Sequence, residues 1–193
     1  MELAFLLSRL REKRALIVHF SHHQNMREGG VFPDDLVAAI KHKDDWALSC
    51  SVIWPGHNMS PVGSVGVIFE PASVGNILSV CNADSGSSSL GNGEDGSLGH
   101  PLSSSAFEDS FCVEDYEYNE WRLCGAPATG IFVTDTTSIY IKREISVNLP
   151  YGSGVIHTIA PERITFGEVS RLAQTLNLPV YTMGADGPEP VLP

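Results

Sequence analysis

Basic residues are scarce in this chain: 12 lysines and arginines stand against 23 aspartates and glutamates, a formal charge of −11 over 193 residues. Affinity built on broad phosphate neutralisation is thereby excluded, and with it non-specific binding to nucleic acid or to an anionic membrane. The basic residues that exist fall in two small clusters, Arg9, Arg11, Lys13 and Arg14 near the start and Lys142-Arg143 further on, which by themselves read as solvated surface. Cysteine is sparse too: Cys50, Cys81, Cys112 and Cys124 form neither a C-x-x-C pair nor a Cys/His zinc spacing. No structural zinc is expected, and the thiols are expected to be reduced in a cytoplasmic setting. No apolar run approaches the roughly 18 residues of a membrane helix. The longest candidate, Leu3 to Leu10, places Leu3, Leu6, Leu7 and Leu10 as a short amphipathic helix docked on a core, and no targeting segment is evident. Nucleotide and hydrolase signatures are missing as well. Gly63-Ser-Val-Gly66 lacks the G-x-G-x-x-G spacing and the helix after it, and there is no P-loop and no G-x-S-x-G elbow.

What is present suffices for one domain spanning residues 1–193, since 42% of the residues are hydrophobic. Ala15 to Phe20 reads as a buried strand, Ser21 to Gly30 as the polar loop leaving it, and Pro33 to about Lys43 as a helix opened by proline and two aspartates. Further strands are predicted at Trp46 to Trp54, Gly63 to Glu70 and Asn76 to Cys81, each rich in β-branched and aromatic residues between Pro/Gly/Asn turns. Residues 82–109 change sharply to Ser, Gly, Asn and Asp and are expected to be a flexible insertion. Beyond it, Tyr116 to Leu123, Gly130 to Thr134, Ser138 to Glu144 and Val155 to Ile159 read as strands. Glu168 to Asn177 has helical spacing, and Leu178 to Met183 is a last strand before a Pro/Gly-rich tail. No internal repeat is found.

Two short stretches carry chemistry. In Asn119-Glu120-Trp121-Arg122, alternation along a strand puts Tyr118, Glu120 and Arg122 on one face and Asn119 and Trp121 on the other. Glu120 thus gains a counter-charge in an aromatic setting that Tyr116 and Tyr118 complete; a plain surface ion pair has the same pattern. In His19-Phe20-Ser21, a histidine ends an apolar strand and feeds a polar loop, the place where ligand-binding groups are displayed, although a lone histidine there also suits a hydrogen-bonded core. His19, His22 and His23 converge on a metal only in a helix, and none is expected here. Ser49 and Ser51 project to one face of their strand and Cys50 to the other. A hydrolase using Ser49, Ser51 or Cys50 with a histidine such as His57 can be drawn, but without an elbow to expose the nucleophile.

Taken in order, His19-Phe20-Ser21 with Asn25 and Gly29-Gly30 resembles the opening of the histidine-bearing ADP-ribosyltransferases, DarT-like toxins among them. The middle and end are similar to a widespread bacterial family with Ser-x-Ser, Gly-Val-x-Ile-x-Phe, Glu-Trp-Arg and Ile-x-Phe-Gly motifs; against these the chain shows Ser49-Cys-Ser51, Gly66-Val-Ile-Phe69, which lacks the two variable positions, Glu120-Trp-Arg122 and Ile164-Thr-Phe-Gly167. The resemblance implies an NAD-cleaving enzyme with Glu120 catalytic and His19 on the adenosine ribose. Ser21 would hold the nicotinamide amide, Ser49 and Ser51 would support the carboxylate, and Tyr116 or Tyr118 would stack on nicotinamide, with Arg122 beside Glu120. Departing from many protein-modifying members, the nearest earlier acid, Glu117, stands three residues before Glu120.

The expected architecture is a single α+β domain, a mostly antiparallel split sheet of two packed halves with a few short helices and a cleft between them, ADP-ribosyltransferase-like. The expected function is NAD-dependent ADP-ribosyl transfer to a macromolecular acceptor, protein or nucleic acid, as a toxin, effector or phage-defence enzyme, with NAD as substrate. The acidic balance fits nucleic acid poorly as that acceptor. The alternative is a non-catalytic binding or immunity protein of the same fold, whose acidic surface suits a basic protein partner.

Overall fold

A computed structural model of the protein describes residues 1–21, 30–57, 63–83, 100–113, 119–148 and 155–192, with backbone alone for 144–148 and 155–159. The chain runs α1 (Leu3–Glu12), β1 (Leu16–Phe20), α2 (Asp34–Lys41), β2 (Leu48–Ile53), β3 (Val65–Phe69), a 3-10 turn at Val74–Asn76, and β4 (Ile77–Cys81). It continues with α3 (Ser104–Asp109), β5 (Glu120–Leu123), β6 (Ala128–Val133), β7 (Ile139–Asn148), β8 (Val155–Ile164), α4 (Phe166–Leu176), β9 (Val180–Gly184) and β10 (Gly187–Val191). Eight strands form one sheet in the order β10-β9-β6-β3-β1-β2-β5-β4, and β7 with β8 makes a separate antiparallel ribbon. Every pairing in the sheet is antiparallel except β6 with β9, which are parallel.

Side-chain alternation gives this sheet two unequal faces. Ile17 of β1, Cys50 and Val52 of β2, Val65, Val67 and Phe69 of β3, and Trp121 and Leu123 of β5 point to the first face. Helices cover it with Leu6 and Leu10 of α1, Leu36 and Ala39 of α2, Phe107 of α3, and Val169, Leu172 and Ala173 of α4, all in one apolar cluster. The second face carries the opposite parity and a smaller cluster of Val18, Phe20, Ile53, Ile68 and Phe132, with Leu16, Tyr181 and Met183 at its margin.

The α+β architecture, mostly antiparallel with few helices, is as expected, but the sheet is continuous where two packed halves were expected. A local fork replaces the split. β1 and β2 pair from Leu16–Ile53 to Val18–Ser51, after which His19 and Phe20 pair with β3 alone. Two further expectations need correction. The Ser/Gly-rich stretch does not run structureless to residue 109: Ser103 caps α3 by accepting from the Ala106 N–H, and Phe107 of that helix is fully buried. Residues 84–99 lie outside the described residues. The Pro/Gly-rich tail contains β10, where Pro188 and Pro190 sit in the sheet's edge strand, the position at which a missing N–H costs no ladder bond.

Candidate functional site

Parity decides which of the sequence-derived residues meet. On β1, Val18 and Phe20 belong to the second-face cluster, so His19 between them points to the helix-covered face. On β5, Trp121 and Leu123 are in the first-face core, so Glu120 and Arg122 point to the second face. Ser49 and Ser51, alternating with Cys50 and Val52, share that second face. The expected pairing of His19 with Glu120 in one crevice is therefore corrected: the sheet lies between them.

His19 is 1% exposed, and its Nδ1 lies 2.6 Å from the Ser49 carbonyl oxygen. A carbonyl only accepts, so Nδ1 carries the proton there. This bond falls where the β1–β2 ladder has stopped, and the imidazole spans the fork in place of a main-chain pair. Ser21 is also turned into the structure. Its Oγ donates to Asp35 Oδ2 at 2.7 Å, while Asp35 Oδ1 accepts from the Leu36 N–H at 2.8 Å. Both residues are buried, Asp35 completely, and the pair ties the end of β1 to α2. Asn119 is likewise structural: its amide accepts from Val52 N–H at 2.6 Å and donates to the Val52 and Ser110 carbonyls, clamping β2 and the end of α3. Tyr116 and Tyr118 lie outside the described residues.

What the structure does bring together is a polar patch on the second face. Ser49 pairs with Arg122 and Cys50 with Trp121, which in continuation sets Ser51 beside Glu120. Val18 flanks Ser51 on the other side, and β4 adds Ser79 opposite Arg122 and Cys81 opposite Glu120. Adjacent strands are about 4.8 Å apart, so the carboxylate, the guanidinium and the serine hydroxyls are first neighbours. Ser51 and Ser79 are buried, Glu120 and Arg122 half-buried and Ser49 exposed.

Two residues along β2 from Ser51, Ile53 enters a hollow of about 450 Å³ on the same face. Phe20, Ile53, Phe132 and Met183 line it as an apolar floor, and Trp54, His57, Thr134 and Tyr140 also contribute to its lining, although Trp54 packs in addition against the helix-covered core and against Phe111, with ring centroids 4.9 Å apart. Phe20 and Phe132 meet edge to face at 6.0 Å, and the Trp54 and His57 rings stack at 3.8 Å and 12°. Such a combination suits a planar heteroaromatic ring with a polar substituent. Sequence reasoning used His57 only as a hydrolase partner and passed over Trp54, Phe20 and Tyr140; the aromatic run into the Trp54-Pro55-Gly56-His57 turn was the available signal. Asp35 was read only as a helix-opening acid.

Among the described residues no cluster of His, Cys, Asp and Glu is arranged to hold a metal ion, and no helix is long and apolar enough to cross a membrane. No protein-family model matches the chain, and no curated protein matches it.

Proposed function

We propose that the chain is an NAD-dependent ADP-ribosyltransferase acting on a macromolecular acceptor, with its site on the second face of the sheet and without His19. Cleaving the bond from nicotinamide to ribose develops positive charge on the sugar as the leaving nicotinamide takes the bonding pair, and an acceptor nucleophile then closes on the anomeric carbon. A carboxylate against the ribose stabilises that charge. Glu120 fills this role, Ser51 beside it and Ser49 orient the ribose hydroxyls, Arg122 takes a phosphate oxygen, and the hollow lined by Trp54, His57 and Tyr140 receives the nicotinamide. One observation supports this reading above the rest: the β2–β5 register sets Ser49, Ser51, Glu120 and Arg122 on the same face as the aromatic hollow.

Release of nicotinamide from NAD tests it, followed alongside transfer of label to lysate protein and nucleic acid on separate gels. Glu120→Gln should lower both by at least about 100-fold while NAD still raises the melting temperature. Undiminished turnover in Glu120→Gln removes the assignment.

A second reading, a binding module without turnover, is favoured by the placement of His19 across the sheet from Glu120. It retains the hollow as a ligand site and the acidic surface for a basic protein partner. Stabilisation by NAD without nicotinamide release would select it.

A further inference from the structure

A second cavity, of about 400 Å³, opens at the other end of β1, between the last turn of α1 and the edge strands, and shares no lining residue with the aromatic hollow. Its body is apolar, with Leu7, Leu16, Ile68 and Pro71 among the walls, and the Tyr181 ring and Pro188 close one side. Among the described residues its charged lining is Arg11, Arg14 and Glu70.

The four basic residues near the start of the chain divide here into two pairs. Arg9 and Lys13 are held by acids: Arg9 pairs with Glu12 and, at 2.5 Å, with Glu108, and Lys13 reaches Glu108 at 3.0 Å. Arg11 makes no ion pair among the described residues, and Arg14 meets only Asp186, at 3.4 Å, on a carboxylate that is 96% exposed. An exposed pair of that length is weak and easily exchanged for another anion. In a chain of net charge −11, the described lining of this cavity holds two arginines against one glutamate, with Asp186 outside the lining as the exposed partner of Arg14.

Arg14 also occupies a position where its side chain brings no conformational benefit. It follows α1 with φ +53, the left-handed conformation in which glycine is the favoured residue. Helix closure there is made by the backbone, Ala15 N–H to Leu10 O at 2.9 Å, and needs no side chain. Against the Arg14 stem packs Gly187, whose φ is +123 and whose absent Cβ would lie 3.3 Å from Arg14 Cβ. The first carbons of the stem thus lie against β10 beside the cavity mouth.

We propose that this cavity binds a small amphiphilic monocarboxylate, its head held by Arg11 and Arg14 and its chain laid between α1 and the edge of the sheet. The site does not depend on the NAD reading.

Titration calorimetry of the full chain with decanoate, methyl decanoate and acetate tests it. Decanoate should bind, and the neutral ester and the tailless acetate should each bind at least about tenfold more weakly. Arg11→Ala/Arg14→Ala should weaken decanoate by a similar factor. Arg14→Gly should also weaken it while raising the melting temperature, a combination that loss of fold cannot produce. Glu120→Gln should leave decanoate affinity unchanged. Equal affinity for decanoate and its methyl ester, wild-type affinity in the double variant, or no binding of decanoate at millimolar concentration would each overturn the proposal.

Discussion

Side chains reverse direction at every residue of a strand, so whether two residues on different strands can share a ligand turns on whether each is odd or even along its own strand. Glu120 with Arg122, and Ser49 with Ser51, could be paired off from sequence because alternation within one strand is visible there. The relation of His19 to Glu120 could not. It depends on which parity of β1 faces the helices, and β1 is buried on both sides, so its apolar run Ile17-Val18 carries no alternation to read. With His19 bonded to the Ser49 carbonyl beneath the helices, the expected effect of removing it shifts from ligand to fold. His19→Ala should remove the bond to that part-buried carbonyl and empty a buried site, costing about 1–3 kcal/mol in urea titration, while the stabilisation by NAD stays as in wild type. A variant with unaltered stability and lost NAD response would return His19 to the binding site.

Elements were more legible than their partners, since start and stop signals are local. Thr165 and Glu168 form a full capping box on α4: the Thr165 side chain accepts from Glu168 N–H at 3.3 Å, and the Glu168 carboxylate accepts from Thr165 N–H at 2.7 Å. At the other end Asn177, at φ 53, ends the helix as Leu178 N–H reaches back to Ala173 O at 2.9 Å. The helix is accordingly found where its spacing predicted, beginning two residues earlier. Helix α3 escaped notice because six residues in a serine-rich stretch give one apolar anchor, Phe107, and its rings of contact, Trp121 and Phe111, are remote or irregular in sequence. Strand β10 escaped because proline argues against a strand unless the strand is known to be an edge. Thr165→Ala should destabilise by about 1 kcal/mol. The backbone N–H of Thr165, and then its hydroxyl, hold the Glu168 carboxyl below the usual carboxylate range. A folded value below the unfolded one gives stability that is present above the unfolded value and lost as pH falls through the folded one. Comparing wild type with Glu168→Gln, the stability difference should be largest near neutrality and vanish in acid; a gap that persists in acid would mean the carboxylate is not its source.

At the scale of the whole molecule, one sheet separates two jobs. Its first face is shut under four helices and holds the fold together, and its second face keeps a small apolar cluster next to serines, a glutamate, an arginine and an aromatic hollow. Composition could announce a core and exclude broad phosphate binding, but it could not say that the core is so unequally shared, because helix cover is a tertiary property. Neighbouring residues of β5 provide the sharpest check on this division. Trp121 is fully buried against Phe107, with ring centroids 5.9 Å apart, and Arg122 beside it is half-buried on the opposite face. Trp121→Ala empties a large volume in the helix-covered core and should cost about 3–5 kcal/mol. Arg122→Ala should cost at most about 1 kcal/mol and instead reduce the stabilisation given by NAD, because a half-buried charge contributes little to folding but can meet a phosphate directly. Measured together by urea titration with and without NAD, the two variants should separate completely, one losing stability and the other ligand response; parallel losses in both would mean that the two faces are a single cooperative site.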